Sequence, residues 1–246
     1  MKMKLLLLAL VFLLSGCSAD HTPLPSQQHE QPEDNTWNHS FEYQIHDGEV
    51  TISCVLIDEE TIVIPDEIMG LPVTCIGETA CTNKRYCTQI ILPDTLKSIS
   101  ASAFYRCSNL NQISIPPNVC SIGENPFFRC SSLTSIFVDE NNQYYSSIEG
   151  ILYDKSASVL LAYPEGRQND HYSVPQSVSS INGSAFGYHT NLRTIYIGRN
   201  VTALPAENMF VYPDEITLIV ESESVAAEYA KAHSLDHQIS DGVDLS

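Results

Sequence analysis

A unit of about 23 residues recurs along this chain and constrains its fold more than any other feature. One copy runs from Leu92-Pro93 to Ala103-Phe104, and the next runs from Ile115-Pro116 to Pro126-Phe127. So many positions recur in register that chance does not explain them. The same positions return in a later copy (Val174, Val178, Ile181, Phe186), in a fading copy (Val201, Leu204, Phe210), and in an earlier copy with five extra residues at 69–73 (Ile64, Ile76, Cys81).

One such unit cannot bury its apolar side alone, but stacked units share a continuous core. Each Leu-x-x-Ile-x-Ile stretch supplies a short strand, and strands in successive coils pair about 4.8 Å apart. The Ser-x-x-Ala-Phe stretch suits a short helical or irregular turn that inserts Phe104, Phe127 and Phe186 into the core. The repeat therefore predicts a β-rich solenoid of about five coils.

The repeat resembles the BspA-like, or treponemal-type, leucine-rich repeat family, whose units read approximately Cys-x-x-Leu-x-x-Ile-x-Ile-Pro-x-x-Val-x-x-Ile-Gly-x-x-Ala-Phe. The segment from Cys107 to Gly123 follows this pattern at every fixed position, and the resemblance covers about residues 41–235. Departures include Cys81 at the phenylalanine position and Cys87 at the leucine position, which suggests irregular outer coils. The resemblance implies a right-handed leucine-rich repeat superhelix with short helical turns.

The segments around the regular repeats have patterns of their own. Apolar residues alternate on both sides of Asp47-Gly48, which is a hairpin signal, and Ser224 precedes apolar residues at helical spacing. The sequence predicts an amino-terminal β cap over residues 41–64, a leucine-rich repeat domain over 65–235 with an inserted hairpin at 139–172 and a capping helix at about 222–233, and an acidic tail over 236–246.

The amino terminus carries an export signal. Residues 1–16 hold a short basic segment and the apolar run Leu5 to Leu14, which is too short to span a hydrocarbon core of about 30 Å. Leu14-Ser15-Gly16-Cys17 matches the bacterial lipobox, so Cys17 is predicted to carry a lipid anchor. Residues 17–40 then form a flexible tether, and the protein is expected in the bacterial cell envelope, facing outward. An ordinary signal peptide with a nearby cysteine is the alternative.

The charge of the chain limits its partners. Its 30 acidic and 12 basic residues give a net charge of −18, and such a surface repels phosphate backbones. Nucleic acid is therefore not an expected partner, whereas the membrane is one through the lipid anchor. An apolar share of 43% also excludes a wholly disordered chain.

No catalytic or metal-binding pattern stands out. Seven cysteines remain after lipidation, so they cannot all pair internally, and none forms a Cys-x-x-Cys motif. Cys107 and Cys130 occupy equivalent positions in adjacent coils, and either a disulfide or a ladder of free buried thiols fits them. His233 and His237 are four residues apart and could share a helix face as metal ligands, but Asp236 is the only nearby acid and the helix is expected to end there. No metal, no cofactor and no catalytic residue is expected.

The strands themselves offer the best candidate site. If the isoleucines of each strand point inward, their neighbours point outward and form a ladder across successive coils. This ladder comprises Gln89, Ile91, Gln112, Ser114, Ser135, Phe137, Thr194 and Tyr196. Its apolar and aromatic members are typical of partner-binding surfaces, although the inserted hairpin covers Phe137 and Tyr196 in the alternative interpretation. Tyr144 and Tyr145 form a possible second adhesive edge.

These patterns favour a non-enzymatic surface protein that recognises an extracellular protein or glycan. BspA-like relatives include adhesins for host matrix proteins such as fibronectin and fibrinogen, so the resemblance implies adhesion. An envelope scaffold or a bacterial co-aggregation module is one alternative. An enzyme is another, but it requires a pocket that joins an acid, a base or a nucleophile, and no spacing in the sequence reveals one.

Overall fold

The computed structural model describes residues 39–188 and 191–240 of the chain. The predicted signal peptide, the predicted lipidation site Cys17 and most of the predicted tether lie outside these residues, as do residues 241–246. The described part is a β-solenoid of about eight turns with little helix. Its strands are β1 (Phe41–His46), β2 (Glu49–Val55), β3 (Thr61–Val63), β4 (Glu67–Ile68), β5 (Leu71–Ile76), β6 (Gln89–Ile91), β7 (Ser98–Ile99), β8 (Gln112–Ile115), β9 (Ser121–Ile122), β10 (Ser135–Val138), β11 (Tyr145–Ile148), β12 (Ile151–Asp154), β13 (Val159–Ala162), β14 (His171–Ser173), β15 (Ser180–Ile181), β16 (Thr194–Ile197), β17 (Thr217–Val220) and β18 (Asp236–Ile239), and its helix is α1 (Val225–Ala232).

Two parallel ladders, each of four strands, form the front of the solenoid. The first has the order β10-β8-β6-β3 and the second the order β14-β16-β17-β18. Together they supply one front strand for each of about eight turns, more than the five coils that the repeat predicts. The additional turns lack most of the repeat's prolines and isoleucines, so the repeat does not predict them. They form nonetheless, because a strand joins a parallel ladder through its backbone and needs few of those side chains.

A second sheet lies behind the first ladder, with the order β1-β2-β5-β7-β9 and with β4 paired to β5. The hairpin of β1 and β2 turns at Asp47 and Gly48, whose φ angles of 52° and 78° are those of a tight turn that matches strand twist. Because β2 pairs with β5, this hairpin covers the first edge of the second sheet. The predicted cap of residues 41–64 is too long, since β3 pairs with β6 and is already a front strand.

The turn segments after the second sheet form a third side, and they are turns and not helices. Their amide groups point at the next coil: the Ser102 N–H donates to Glu124 O at 3.0 Å, and the Phe104 N–H donates to Pro126 O at 2.8 Å. Three of these turns each contain two residues with a left-handed backbone: Thr79 and Asn83, Ser102 (φ 54°) and Arg106 (φ 61°), and Asn125 and Arg129. These left-handed residues orient the backbone N–H and C=O groups of a turn toward the neighbouring coils. Successive turns can therefore form hydrogen bonds with each other as strands do.

The insertion is shorter than the predicted hairpin of residues 139–172. Strands β11 and β12 form an antiparallel pair, but β13 pairs in parallel with β15 and β14 joins the front ladder. Tyr163 takes the position of Phe186 one coil earlier and packs at a tilt against that ring, with centroids 5.7 Å apart. This coil was missed because Leu160 and Tyr163, both buried, fill its core positions without the repeat's Ile-Gly and Ala-Phe pairs.

At the carboxyl end, α1 starts after Ser224, as predicted, and buries Ala226, Ala227, Tyr229 and Ala230. The helix is shorter than the predicted 222–233. The predicted acidic tail of residues 236–246 is also corrected, because residues 236–239 form β18 on the open edge of β17. The sequence of β18 is polar and has no apolar alternation, so this strand was not predicted. Its backbone hydrogen bonds to β17 hold it in place.

The core consists of two clusters of buried side chains that follow one another along the solenoid. The phenylalanines at the repeat's aromatic position are buried as predicted, with Phe104 stacked on Phe127 at 5.5 Å and Phe186 beside Phe210 at 5.7 Å. The front strands contribute Ile62, Ile90, Ile113, Ile136 and Ile195, each at most 3% exposed. With these side chains inward, the residues beside them face solvent.

Candidate functional site

The outward side chains of the first front ladder form a continuous surface, here called the front face. Register places Val63 beside Ile91, Gln89 beside Gln112, and Phe137 beside Ser114. Val63, Ile91 and Phe137 are 47%, 44% and 45% exposed. Sequence reasoning missed Val63, which is equivalent to Ile91 but falls outside the regular spacing because its coil contains the five extra residues at 69–73. Thus β3, β6 and β10 each expose one large apolar side chain.

A groove of about 450 Å³ runs along this front face. Its lining includes Gln89, Ile91, Gln112, Ser114 and Phe137, all of which belong to the ladder predicted from the sequence. Asp94, Pro116, Pro117 and Asp139 line the groove as well, so its apolar floor has carboxylates at its margin. A groove with this lining has the composition of a surface that recognises a partner.

Ser135 lies between this groove and the insertion, and it is only partly exposed. The Ile136 N–H donates to Gly150 O at 2.8 Å, which holds the β11–β12 turn against β10. Gly150 has a φ of 78°, and a Cβ atom there would lie 2.8 Å from the Ser135 Cβ, so only glycine fits this contact. The turn covers Ser135 but leaves Phe137 exposed.

The insertion divides the predicted ladder into two parts. Thr194 and Tyr196 lie on β16 in the second front ladder, where they line a separate cavity of about 590 Å³ with Arg167, His171 and Tyr172. Both residues are half-buried, and the Tyr196 hydroxyl donates to Glu221 at 3.4 Å. The structure therefore brings together five of the eight predicted ladder residues in one groove and places Thr194 and Tyr196 in another.

The two tyrosines of the predicted second edge differ. Tyr144 is 55% exposed, whereas Tyr145 is half-buried and its hydroxyl accepts a hydrogen bond from the Ile122 N–H at 3.0 Å. Burial raises the pKa of Tyr145. Tyr145 thus joins the insertion to β9, and only Tyr144 presents its ring to solvent at this edge.

The buried cysteines of the repeats are free thiols. Cys107 and Cys130 are both unpaired, so of the two alternatives the structure has the ladder of free buried thiols. Burial raises the pKa of Cys81 and raises that of Cys87 to about 11; a hydrogen bond with Cys107, followed by burial, raises that of Cys130. A raised pKa keeps a thiol protonated and poorly nucleophilic at neutral pH.

Within residues 39–188 and 191–240, no group of three or more histidine, cysteine, aspartate or glutamate side chains is arranged to hold a metal ion. His233 lies at the end of α1, and His237 lies in β18 with its Nδ1 3.0 Å from Leu235 O. In the same part of the chain, no helix has the length and apolar character needed to cross a membrane.

The fold and its exposed front face define a leucine-rich repeat solenoid. A family model described as a BspA type leucine rich repeat region matches the chain in six copies, over residues 60–151 and 164–226. The protein belongs to this family, and the resemblance seen in the sequence is confirmed. No protein in a search of curated sequences matches it.

Several solved structures are similar to this chain. A leucine-rich repeat protein from Eubacterium ventriosum is 20% identical, with a TM-score of 0.46, and the match covers 71% of this chain and 62% of that protein. A leucine rich cell surface protein from Faecalibacterium prausnitzii is 17% identical, with a TM-score of 0.42 and coverage of 83% and 94%. The pneumococcal vaccine antigen PcpA is 13% identical, with a TM-score of 0.35 and coverage of 82% and 97%.

Proposed function

We propose that this protein is a lipid-anchored bacterial surface protein whose front face binds an extracellular protein. The observation that carries the proposal is the alignment of Val63, Ile91 and Phe137, each more than two-fifths exposed, on one rigid ladder. Single exposed apolar residues are ordinary, but several on one face mark an interaction surface.

The surface is built for binding without rearrangement. The β6 and β8 strands are each hydrogen-bonded to a neighbour on both sides, so little conformational freedom is lost when a partner docks. Asp94 and Asp139 at the groove margin, on a chain with a net charge of −18, favour a partner whose apolar contact is surrounded by basic residues.

The anchor supports the same function. A diacylglyceryl group on Cys17 would keep many copies on one membrane, and the tether of residues 17–40 would hold the solenoid away from it. Many copies together raise the avidity of a groove that binds weakly by itself. The Phe137 and Ile91 side chains then act as anchors for recognition, and the protein carries out no catalysis.

The test is binding of the full chain, purified in detergent, to immobilised fibronectin, fibrinogen and mucin and to a lysate of the producing cell. The double variant Ile91→Ser/Phe137→Ser removes two apolar anchors, and we expect binding at least about tenfold weaker. The matched control Leu56→Ser/Ile239→Ser removes two side chains of similar exposure outside the groove and should bind as the parent does.

Circular dichroism must first show that both double variants remain folded. Saturable binding to a host protein that only the groove variant loses would support adhesion through the front face. Binding to the bacterial lysate alone would instead indicate envelope assembly or co-aggregation. Equal binding by the groove variant and the parent would contradict the proposed site.

A further inference from the structure

Arginine side chains gather at the turn edge, on a different side of the solenoid from the front face. Arg106 and Arg129 are separated by one repeat and occupy equivalent positions in adjacent coils, each with a left-handed backbone (φ 61° and 62°). Together with Arg85 they line a groove of about 590 Å³. Three of the chain's 12 basic residues thus meet in one place on a protein with 30 acidic residues.

None of these three arginines forms an ion pair with a carboxylate of the described residues. The ion pairs between described residues involve Arg193 with Glu215, Arg199 with Glu221, Lys97 with Glu49 and two histidines, but none of the three groove arginines. Arg85 and Arg106 are exposed, and a guanidinium group offers five N–H donors. The groove therefore has unused capacity to bind an anion.

One carboxylate does line the groove, and it serves the backbone. Glu165 is 8% exposed, and its Oε1 accepts the Arg129 N–H at 2.9 Å and the Tyr188 N–H at 3.3 Å. In the preceding coil the equivalent N–H group, that of Arg106, donates to a backbone carbonyl, Phe128 O, at 2.9 Å. For the Arg129 N–H, the Glu165 carboxylate takes the place of this carbonyl, which the insertion displaces. Glu165 therefore holds the backbone around the groove in place, but it does not indicate which ligand binds there.

Aromatic rings follow the arginines along the same edge. Tyr105 stacks on Phe128 at 6.0 Å, Phe128 meets Tyr188 at 4.9 Å, and Tyr188 meets Tyr212 at 5.5 Å. The Arg129 guanidinium lies 4.5 Å from the centre of the Tyr188 ring, and it also donates to the Tyr188 hydroxyl, which fixes its orientation. Tyr212 is 48% exposed and lines the groove.

This combination fits a sugar better than a simple anion. Aromatic faces pack against the C–H faces of sugar rings, the Ser108 and Ser131 hydroxyls and the Asn83 amide suit sugar hydroxyls, and arginine binds carboxylates with two parallel hydrogen bonds. The monomers of an extended saccharide also repeat at a distance comparable to the spacing of adjacent coils. A peptide would not need a row of rings and arginines in the same register.

We propose that the groove lined by Arg85, Arg106, Arg129 and Tyr212 binds an acidic saccharide, with its carboxylates on the arginines and a sugar ring against Tyr212. This site is independent of the front face, so a protein partner and a saccharide would bind on different sides of the solenoid.

The test measures binding of a galacturonic acid hexamer to the full chain in detergent, by calorimetry at fixed ionic strength. Arg85→Gln/Arg106→Gln should weaken binding at least about tenfold, because it removes two charged hydrogen-bond donors. The matched control Arg193→Gln/Arg199→Gln removes the same charge outside the groove and should change the affinity less than twofold. Maltohexaose, which has no carboxylate, should not bind.

A second pair of variants keeps the test decisive if the arginine variant does not fold. Tyr212→Ala should weaken binding several-fold, whereas Tyr144→Ala, which removes a ring of similar exposure in the insertion, should leave it unchanged. The proposal is overturned if the hexamer does not bind, if a hexaglutamate peptide or inorganic phosphate binds as tightly, or if both arginine variants lose affinity equally.

Discussion

Asn142 is a buried polar residue whose side-chain amide is fully hydrogen-bonded. It is fully buried, and its Nδ2 donates to Pro116 O and Val119 O, both at 2.9 Å. Its Oδ1 accepts the N–H groups of Tyr144 and Tyr145, both at 2.8 Å. One amide thus joins the start of the insertion to the preceding coil.

We expect Asn142→Ala to lower the free energy of unfolding by about 3 kcal/mol, because it leaves buried backbone groups without partners. Asn141→Ala, at an exposed neighbouring site, should change it by less than about 0.5 kcal/mol. Urea unfolding followed by circular dichroism compares the two. Equal effects would show that the amide contacts do not hold the insertion.

Glu165 links stability to pH. Burial raises the pKa of this carboxyl to about 7 from an ordinary value of 4.5. Between these values the folded chain holds a proton that the unfolded chain releases, so stability from this group falls as pH rises from about 4.5 to about 7 and is constant above.

Glu165→Gln should keep an oxygen for the Arg129 and Tyr188 N–H groups and remove this dependence. We therefore expect the variant's stability relative to the parent to rise by up to about 3 kcal/mol between pH 4.5 and pH 7.5. Urea unfolding across that range measures the difference. A difference that does not change with pH would contradict the role assigned to burial.

The sequence predicts the burial of the phenylalanines but not the burial of these two polar residues. Phe104 and Phe186 recur at a fixed spacing, and burial follows from the repeat. Asn142 lies at the start of the insertion, where it stands among acidic and amide residues that are typical of a solvated turn, and Glu165 lies in a coil that lacks the repeat's Ile-Gly and Ala-Phe pairs. Their burial depends on how distant coils close around them, which local pattern does not encode.

Among the elements, α1 is held by its cap and by one tyrosine. The Ser224 Oγ accepts the Ala227 N–H at 3.1 Å. The Tyr229 hydroxyl donates to Glu207 O at 2.9 Å and accepts the Met209 N–H at 2.8 Å, so the helix closes over the preceding loop. The helix thereby covers the last apolar coil.

Ser224→Ala removes the cap and should lower the free energy of unfolding by about 1 kcal/mol. Ser177→Ala, at an exposed turn in another coil, serves as the matched control and should be nearly neutral. Thermal unfolding of the full chain measures both. A loss of stability no larger than that of the control would show that the cap contributes nothing.

The elements that the sequence did not predict are the ones held by backbone pairing. Strands β7, β9 and β15 were not predicted either, but the Ser-Ile pair that forms them lies within the recognised repeat. In contrast, β14 and β18 expose most of their side chains and carry no apolar alternation, so their sequences resemble loops. These two strands form because they pair with the open edges of β16 and β17, and those edges exist only in the assembled solenoid.

At the scale of the whole molecule, acidic residues outnumber basic ones by 30 to 12, and the folded chain repels itself. At 0.1 M salt, the repulsion between exposed charges more than about 10 Å apart is largely screened. We expect the Tm to rise by a few degrees between 10 mM and 150 mM sodium chloride. Differential scanning calorimetry measures it, and a Tm that falls would mean that attractive ion pairs outweigh the repulsion.

The front face is where we propose that the protein meets its partner. A photoreactive benzoylphenylalanine at position 137, in the full chain on the producing cell, tests this directly when the cell is exposed to host matrix proteins. We expect a specific cross-linked product from position 137 and none from the same group at Tyr86, which is 76% exposed but lies outside the groove. Equal cross-linking from both positions, or cross-linking only from position 86, would contradict it.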